Sequence, residues 1–111
     1  MNDYLDLNDS LKMPYYRVPK ALFTQKYSRL SADAKLLYGL LLDRMSLSLK
    51  HNWIDKQGRV YQYFTVNEAA ELLNFGHEKV CKLFKELVEN DLIERKRRGM
   101  GKPSVIYLKR M

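Results

Sequence analysis

At 111 residues the chain is long enough for one hydrophobic core and too short for two, since independent domains need roughly 50 to 200 residues. Its 46% hydrophobic content, with only five glycines and three prolines, excludes a disordered chain, and the single cysteine, Cys81, excludes an internal disulfide and fits a reducing cytoplasm. The formal net charge of +7, from 20 Lys and Arg against 13 Asp and Glu, favours a polyanionic partner without defining one.

Residues 1–12 (MNDYLDLNDSLK) interleave Asp3, Asp6 and Asp9 with Leu5, Leu7 and Leu11 and predict an N-terminal arm distinct from a domain at 13–111. They lack the basic start and apolar core of a secretory signal, and no apolar run nears the ~18 residues of a membrane span, so a soluble cytoplasmic protein is expected. Tyr15 to Val18 is aromatic and β-branched and is bracketed by Pro14 and Pro19, which predicts a short edge strand.

From Ser31 to about Lys50 the pattern predicts one long helix: Ser31 can cap it, Asp33 meets the positive end of its dipole, and no proline interrupts it. At ~100° per residue Ala34, Leu37, Tyr38, Leu41, Met45 and Leu49 share one face, while Leu36, Leu40 and Leu47 form a second stripe on the opposite side. One core cannot cover both. Either the arm or the first strand covers the second stripe, or another subunit does. The latter reading makes Leu36, Leu40 and Leu47 a homodimer interface, and exchanged arms would satisfy both.

Asn52 to Gly58 reads as a loop in which Trp53 serves core packing, and Arg59 to Phe64 alternates as a strand does. Thr65 to Glu68 (TVNE) is a capping box that starts a helix at 66. That helix ends at Asn74-Phe75-Gly76, a tight turn where Gly76 tolerates unusual backbone angles and Phe75 can plug the space between helices. The next helix, from His77, turns Val80, Leu83, Phe84, Leu87 and Val88 inward and leaves Glu78, Lys79, Lys82, Lys85, Glu86 and Glu89 outside, with Cys81 buried or half-buried. After Asn90-Asp91, Leu92 and Ile93 return to the core, and two extended stretches around Gly99-Met100-Gly101 predict a β-hairpin.

Helix, strand, helix, turn, helix, hairpin is the order of a winged helix-turn-helix: an α+β, mainly helical fold with a C-terminal β-hairpin wing. Its second helix fits the ~12 Å major groove of duplex DNA, which makes His77, Glu78, Lys79, Lys82 and Lys85 candidate base contacts. Glu78 and Glu86 on the groove-facing side would oppose mere backbone attraction and so favour selectivity. Thr65 and Asn67, at the start of the preceding helix, are candidate phosphate contacts.

Helical hairpins also occur in proteins that touch no DNA, so the weight falls on the wing. Arg95, Lys96, Arg97, Arg98 and Lys102 crowd like charge onto one hairpin, a repulsion that an anionic partner would relieve. His77 and Cys81, with only His51 to add, fall short of a closed tetrahedral metal site, so neither metal nor other cofactor is expected. No Ser-His-Asp arrangement, phosphate-cradling glycine loop or metalloprotease signature is present, so the expectation is a binding protein and not an enzyme.

Four stretches in this order, YYRVPKALF (15–23), LSADAKLLYGLLLDR (30–44), NWIDKQGRVYQYF (52–64) and GKPSVIYL (101–108), make the chain resemble the N-terminal DNA-binding domain of plasmid replication initiator protein A from Met13 to Lys109. The resemblance implies a bacterial plasmid initiator whose winged helix binds repeated sites in double-stranded origin DNA as a homodimer. It also implies a C-terminal domain beyond Met111 that engages host replication proteins, so that the present chain is the DNA-binding part. By position it places the recognition helix at 77–89 and the wing at 95–107. The alternative is a winged-helix transcriptional repressor on an operator, whose helix-turn-helix text would read the same.

Overall fold

The computed structural model describes residues 2–111. In the arm, Asp6 and Asp9 cap each other's backbone in a reciprocal box and start a short helix, α1 (Leu7–Lys12), which buries none of its residues. Leu5, Leu7 and Leu11 therefore stay exposed.

Tyr15 to Val18 has no regular secondary structure and joins no sheet, which corrects the expected edge strand. Its backbone is used elsewhere. At Gly39 of helix α2 (Ala32–Asp43) an added Cβ would lie 3.2 Å from both the Arg17 carbonyl oxygen and Val18 Cγ2, so the missing side chain is what lets the segment lie on the helix. Two 3₁₀ turns follow, Lys20–Phe23 and Gln25–Tyr27, and bury Leu22 and Tyr27.

Ser31 caps α2 by accepting from the Ala34 N–H at 3.1 Å. The long helix read from sequence is in fact two, because the chain bends at Arg44 before α3 (Met45–Lys50). The bend falls where Arg44 is anchored: its Nη2 donates to the Tyr63 carbonyl at 2.6 Å and its guanidinium carbon stands 4.3 Å from the centre of the Phe64 ring. Rotated by the bend, Leu49 no longer continues the face of Ala34, Leu37 and Leu41 and is exposed. The second stripe is also divided. Leu40 is only 5% exposed and belongs to this chain's own core, so it is withdrawn from the expected dimer interface; Leu36 is 48% exposed and Leu47 half-buried.

Strands β1 (Gln62–Tyr63), β2 (Ile93–Lys96) and β3 (Val105–Leu108) form an antiparallel sheet in the order β1-β3-β2. Only the end of the expected 59–64 strand pairs with β3, since the earlier part folds back on its own loop through the Ile54–Val60 bridge. Gln62, Ile106 and Arg95 lie in one row of the register, and Tyr63, Val105 and Lys96 in the next. The pleat sends the first row towards the helices and the second to the opposite face. Gln62, buried, donates its amide to the Leu41 carbonyl at 2.8 Å.

The capping box at Thr65 and Glu68 starts helix α4 (Val66–Leu73) as predicted. The turn into helix α5 (His77–Glu89) differs in detail: Asn74 takes the left-handed conformation (φ +56°), whereas Gly76 is extended and serves as the N-cap. Asparagine tolerates that region because its short polar side chain bonds locally, so the glycine was not required there. Val80, Leu83, Phe84 and Leu87 of α5 close the core against Leu37, Leu41 and Ile106, while Val88 stays 44% exposed and outside it. Among the described residues, no helix is long and apolar enough to cross a membrane.

Candidate nucleic-acid interface

With its core face fixed, α5 has three other sides, each set by the ~100° turn per residue. Glu78, Lys82, Lys85 and Glu89 stand opposite the core and are exposed. Lys79 and Glu86 lean to the α2 side, and His77 and Cys81 lean to the wing side.

The α2 side is occupied. Glu86 is half-buried and accepts two hydrogen bonds, from the Ser31 N–H and the Ser31 hydroxyl, both at 2.9 Å. It thus belongs to the joint between α5 and α2, which corrects its placement on the groove-facing side. Lys79 Nζ lies 2.9 Å from an Asp33 carboxylate oxygen and 4.0 Å from the Phe75 ring centre. Its charge is thereby shared with the frame, leaving on the outer ridge Lys82 and Lys85, the latter 3.9 Å from a Glu89 carboxylate oxygen.

At the start of α4 the Thr65 hydroxyl accepts from the Glu68 N–H at 3.0 Å and is committed to the cap. Asn67 Oδ1 lies 3.2 Å from His77 Nδ1, so this contact ties the first turns of α4 and α5 together. Thr65 and Asn67 thus both sit beside the first turn of α5.

On the wing, alternation divides the five basic residues between two faces. Arg95 lies on the helix side, its guanidinium carbon 4.6 Å from the Phe84 ring centre. Burial, together with the Arg97 charge, lowers its pKa. Its Nε is buried without a partner. Lys96 lies on the other face, 3.4 Å from a Glu94 carboxylate oxygen and over the Tyr107 ring, and Arg98 lies over the Tyr63 ring at 5.3 Å. Of the five basic residues crowded onto the hairpin, the structure brings Arg95, Arg97 and Lys102 to one cleft and turns Lys96 and Arg98 away from it.

Those three line a cleft of about 550 Å³ between α5 and the wing, with His77 and Cys81 on its other wall. Cys81 is exposed there, against the expectation of burial, because at this angle it clears the core face. Met100 and Ser104 complete the rim and were not singled out from sequence. Counting back by two from the buried Ile106 would have found Ser104.

The opposite face of the sheet is built from aromatic side chains. Trp53 stacks on His51 at 4.8 Å and meets Tyr63 edge-on at 4.9 Å; it is half-buried and outside the hydrophobic core, which corrects the expected core packing. Below them Asp55 accepts from the Arg59 N–H and guanidinium, the Gln57 N–H and the Tyr107 hydroxyl. Burial alone would raise the Asp55 carboxyl, but these hydrogen bonds outweigh it and bring its pKa down to about 2.

A capped helix-turn-helix whose outer helix shares a cleft with a basic β-hairpin defines a winged helix-turn-helix domain. A family model, described as the N-terminus of replication initiator protein A, matches residues 14–111, and the chain belongs to that family. It is 38% identical over 101 residues to a 41 kDa protein of Lactobacillus helveticus, a match covering 85% of this chain and 29% of that relative, so the chain spans less than a third of the relative's length.

Solved structures agree on the fold. The chain is similar to a structure described as the N-terminal domain of a DNA-binding protein, at TM-score 0.79 and 35% identity over 99% of this chain and 85% of that one. It is also similar to a Rep–DNA complex, at TM-score 0.80 and 35% identity, covering 97% of this chain and 84% of that one. An MDR initiator matches at TM-score 0.77 and 37% identity, covering 97% of this chain and 86% of that one.

Proposed function

We propose that the domain binds repeated sites in double-stranded DNA at a plasmid replication origin, and that this binding, not any enzymatic activity of the domain, initiates plasmid replication. The observation that carries the reading is the common cleft. His77 from α5 and Arg97 and Lys102 from the wing face one another across it, and Lys82 and Lys85 continue the charge along the exposed ridge.

On a duplex, α5 lies in the major groove with Glu78, Lys82 and Lys85 towards base edges, where lysine suits the guanine acceptors. Arg97 and Lys102 follow phosphates or the adjoining minor groove, and the first turn of α4, at Thr65 and Asn67, lies against the backbone. Arg97 and Lys102, each neutralising one phosphate, together contribute roughly −1.8 to the slope of log K against log salt.

In this reading the protein works in the bacterial cytoplasm as a homodimer on two half-sites, with Leu36 and Leu47 in the interface and Leu40 excluded from it. Contacts with host replication proteins fall to a C-terminal domain of the full-length initiator. Selection of bound duplexes from a random pool, followed by footprinting across origin and promoter fragments of the host plasmid, tests the proposal. Protection of repeats in the origin is expected. Protection confined to a promoter would make the domain an operator-binding repressor, and recovery of no enriched duplex would remove DNA recognition altogether.

A further inference from the structure

We propose that Met100, at the tip of the wing, is an apolar wedge that enters the minor groove of bound duplex DNA and partly unstacks one base step, kinking the duplex; this rests on the duplex-binding reading above. The side chain is fully exposed, at 103% of its reference surface, and so gives the core nothing. Methionine is a flexible apolar filler that gains by burial, and free in water at a hairpin tip it forgoes that gain.

Its two neighbours shape the tip. Gly99 (φ +111°) and Gly101 (φ +77°) both take backbone angles that side chains rarely permit, and a Cβ added to either would meet no atom within 4 Å. The tip is therefore a single side chain wide, with bare backbone on both sides. A minor groove about 6 Å across admits such a tip and excludes a hairpin end that carries adjacent side chains.

Charge and position supply the rest. Arg97 on one limb and Lys102 on the other are exposed, border the same cleft as Met100 and draw the tip between the phosphate walls of the groove. Met100 borders the same cleft as His77, so a duplex that takes α5 in its major groove presents the adjoining minor groove to this residue. Once there, the cations hold phosphate oxygens but offer nothing to the base stack, and the thioether is the apolar group at hand. An inserted apolar side chain exchanges partial unstacking for its own burial and for a bent duplex that meets more protein. TA and CA/TG steps unstack with least resistance, so the wedge selects such a step without a hydrogen bond to any base.

The test uses the duplex recovered by selection, with 2-aminopurine replacing one adenine at a time outside the α5 footprint and dyes at the two ends. Fluorescence anisotropy reports binding, 2-aminopurine emission reports unstacking, and energy transfer reports the bend. Wild type and Met100→Leu are expected to brighten one position severalfold and to shorten the end-to-end distance. Met100→Ala and Met100→Ser should lose both signals while affinity falls less than tenfold. A bound wild type with every position dark and the ends unmoved overturns the wedge, as does an alanine variant that unstacks and bends like wild type. If anisotropy shows no binding of wild type even in dilute buffer, the duplex-binding reading itself fails and takes the wedge with it.

Discussion

Glu86 in the middle of α5 and Ser31 at the head of α2 are joined by two hydrogen bonds of 2.9 Å, and the same serine hydroxyl caps α2 through the Ala34 N–H. A surface-type residue of the helix is thus a bolt between α5 and the frame. Replacing Glu86 with alanine strands the Ser31 donors and should cost about 1–3 kcal/mol in urea unfolding. Ser31→Ala loses the cap as well, and the double variant should cost less than the two singles together because they share one contact. Additive losses would show that the two residues act independently.

The division of labour along α5 can be read from competition titrations against specific and random duplexes at several salt concentrations. Lys82→Ala should erode discrimination by about 1–3 kcal/mol if it makes a good base contact. Lys79→Ala should erode it less, since Lys79 is engaged with Asp33, and an exposed pair of that kind is worth roughly 0.2–1 kcal/mol to stability. Arg97→Ala and Lys102→Ala should weaken all duplexes and flatten the salt slope by about 0.9 each. A larger loss of discrimination for Lys79→Ala than for Lys82→Ala would reverse the assignment.

Two leucines four residues apart on α2 should behave oppositely. Leu40 is 5% exposed and Leu36 48%. Leu40→Ala is expected to cost about 2–5 kcal/mol through loss of core packing. Leu36→Asp should leave thermal stability within about 0.5 kcal/mol and shift sedimentation from dimer to monomer. A Leu36→Asp protein with unchanged mass would place the dimer contact elsewhere.

Asp55 sets an acid limit on the loop that leads into β1. Its carboxyl, with a pKa of about 2 when folded, titrates near 3.9 when unfolded, so the unfolded state binds the proton more readily. The stabilisation is present above about pH 4 and is lost as pH falls through about 2. Asp55→Asn should therefore flatten the acid limb of a stability–pH curve in that window and leave the neutral limb nearly parallel to wild type. An unchanged acid limb would assign it to other carboxylates.

Much of this was legible beforehand because it depends on neighbours in sequence. The Thr65–Glu68 box, the inward set from Val80 to Leu87 and the hairpin around Gly99 and Gly101 follow from local patterns and stand in the structure as read. What failed depended on distant partners. Nothing within residues 31–50 says that Arg44 will be held by Tyr63 and Phe64, so the helix break was hidden and the Leu36/Leu40 stripe was mistaken for one surface. The segment at Arg17 and Val18 covers α2 at Gly39, and that contact too joins residues more than twenty positions apart. Glu86 looked like an outward charge because its partner is 55 residues away.

The two-sided wing carries a consequence for anyone who edits it. Arg95 faces α5 and Lys96 faces away only because of odd and even counting from Ile93, and in a strand a shift by one exchanges every inward group for its outward neighbour. Deleting one residue between Ile93 and Gly99 would keep the composition of the hairpin almost intact yet turn its chemistry inside out. Lengthening or shortening such a hairpin is therefore safe only in steps of two.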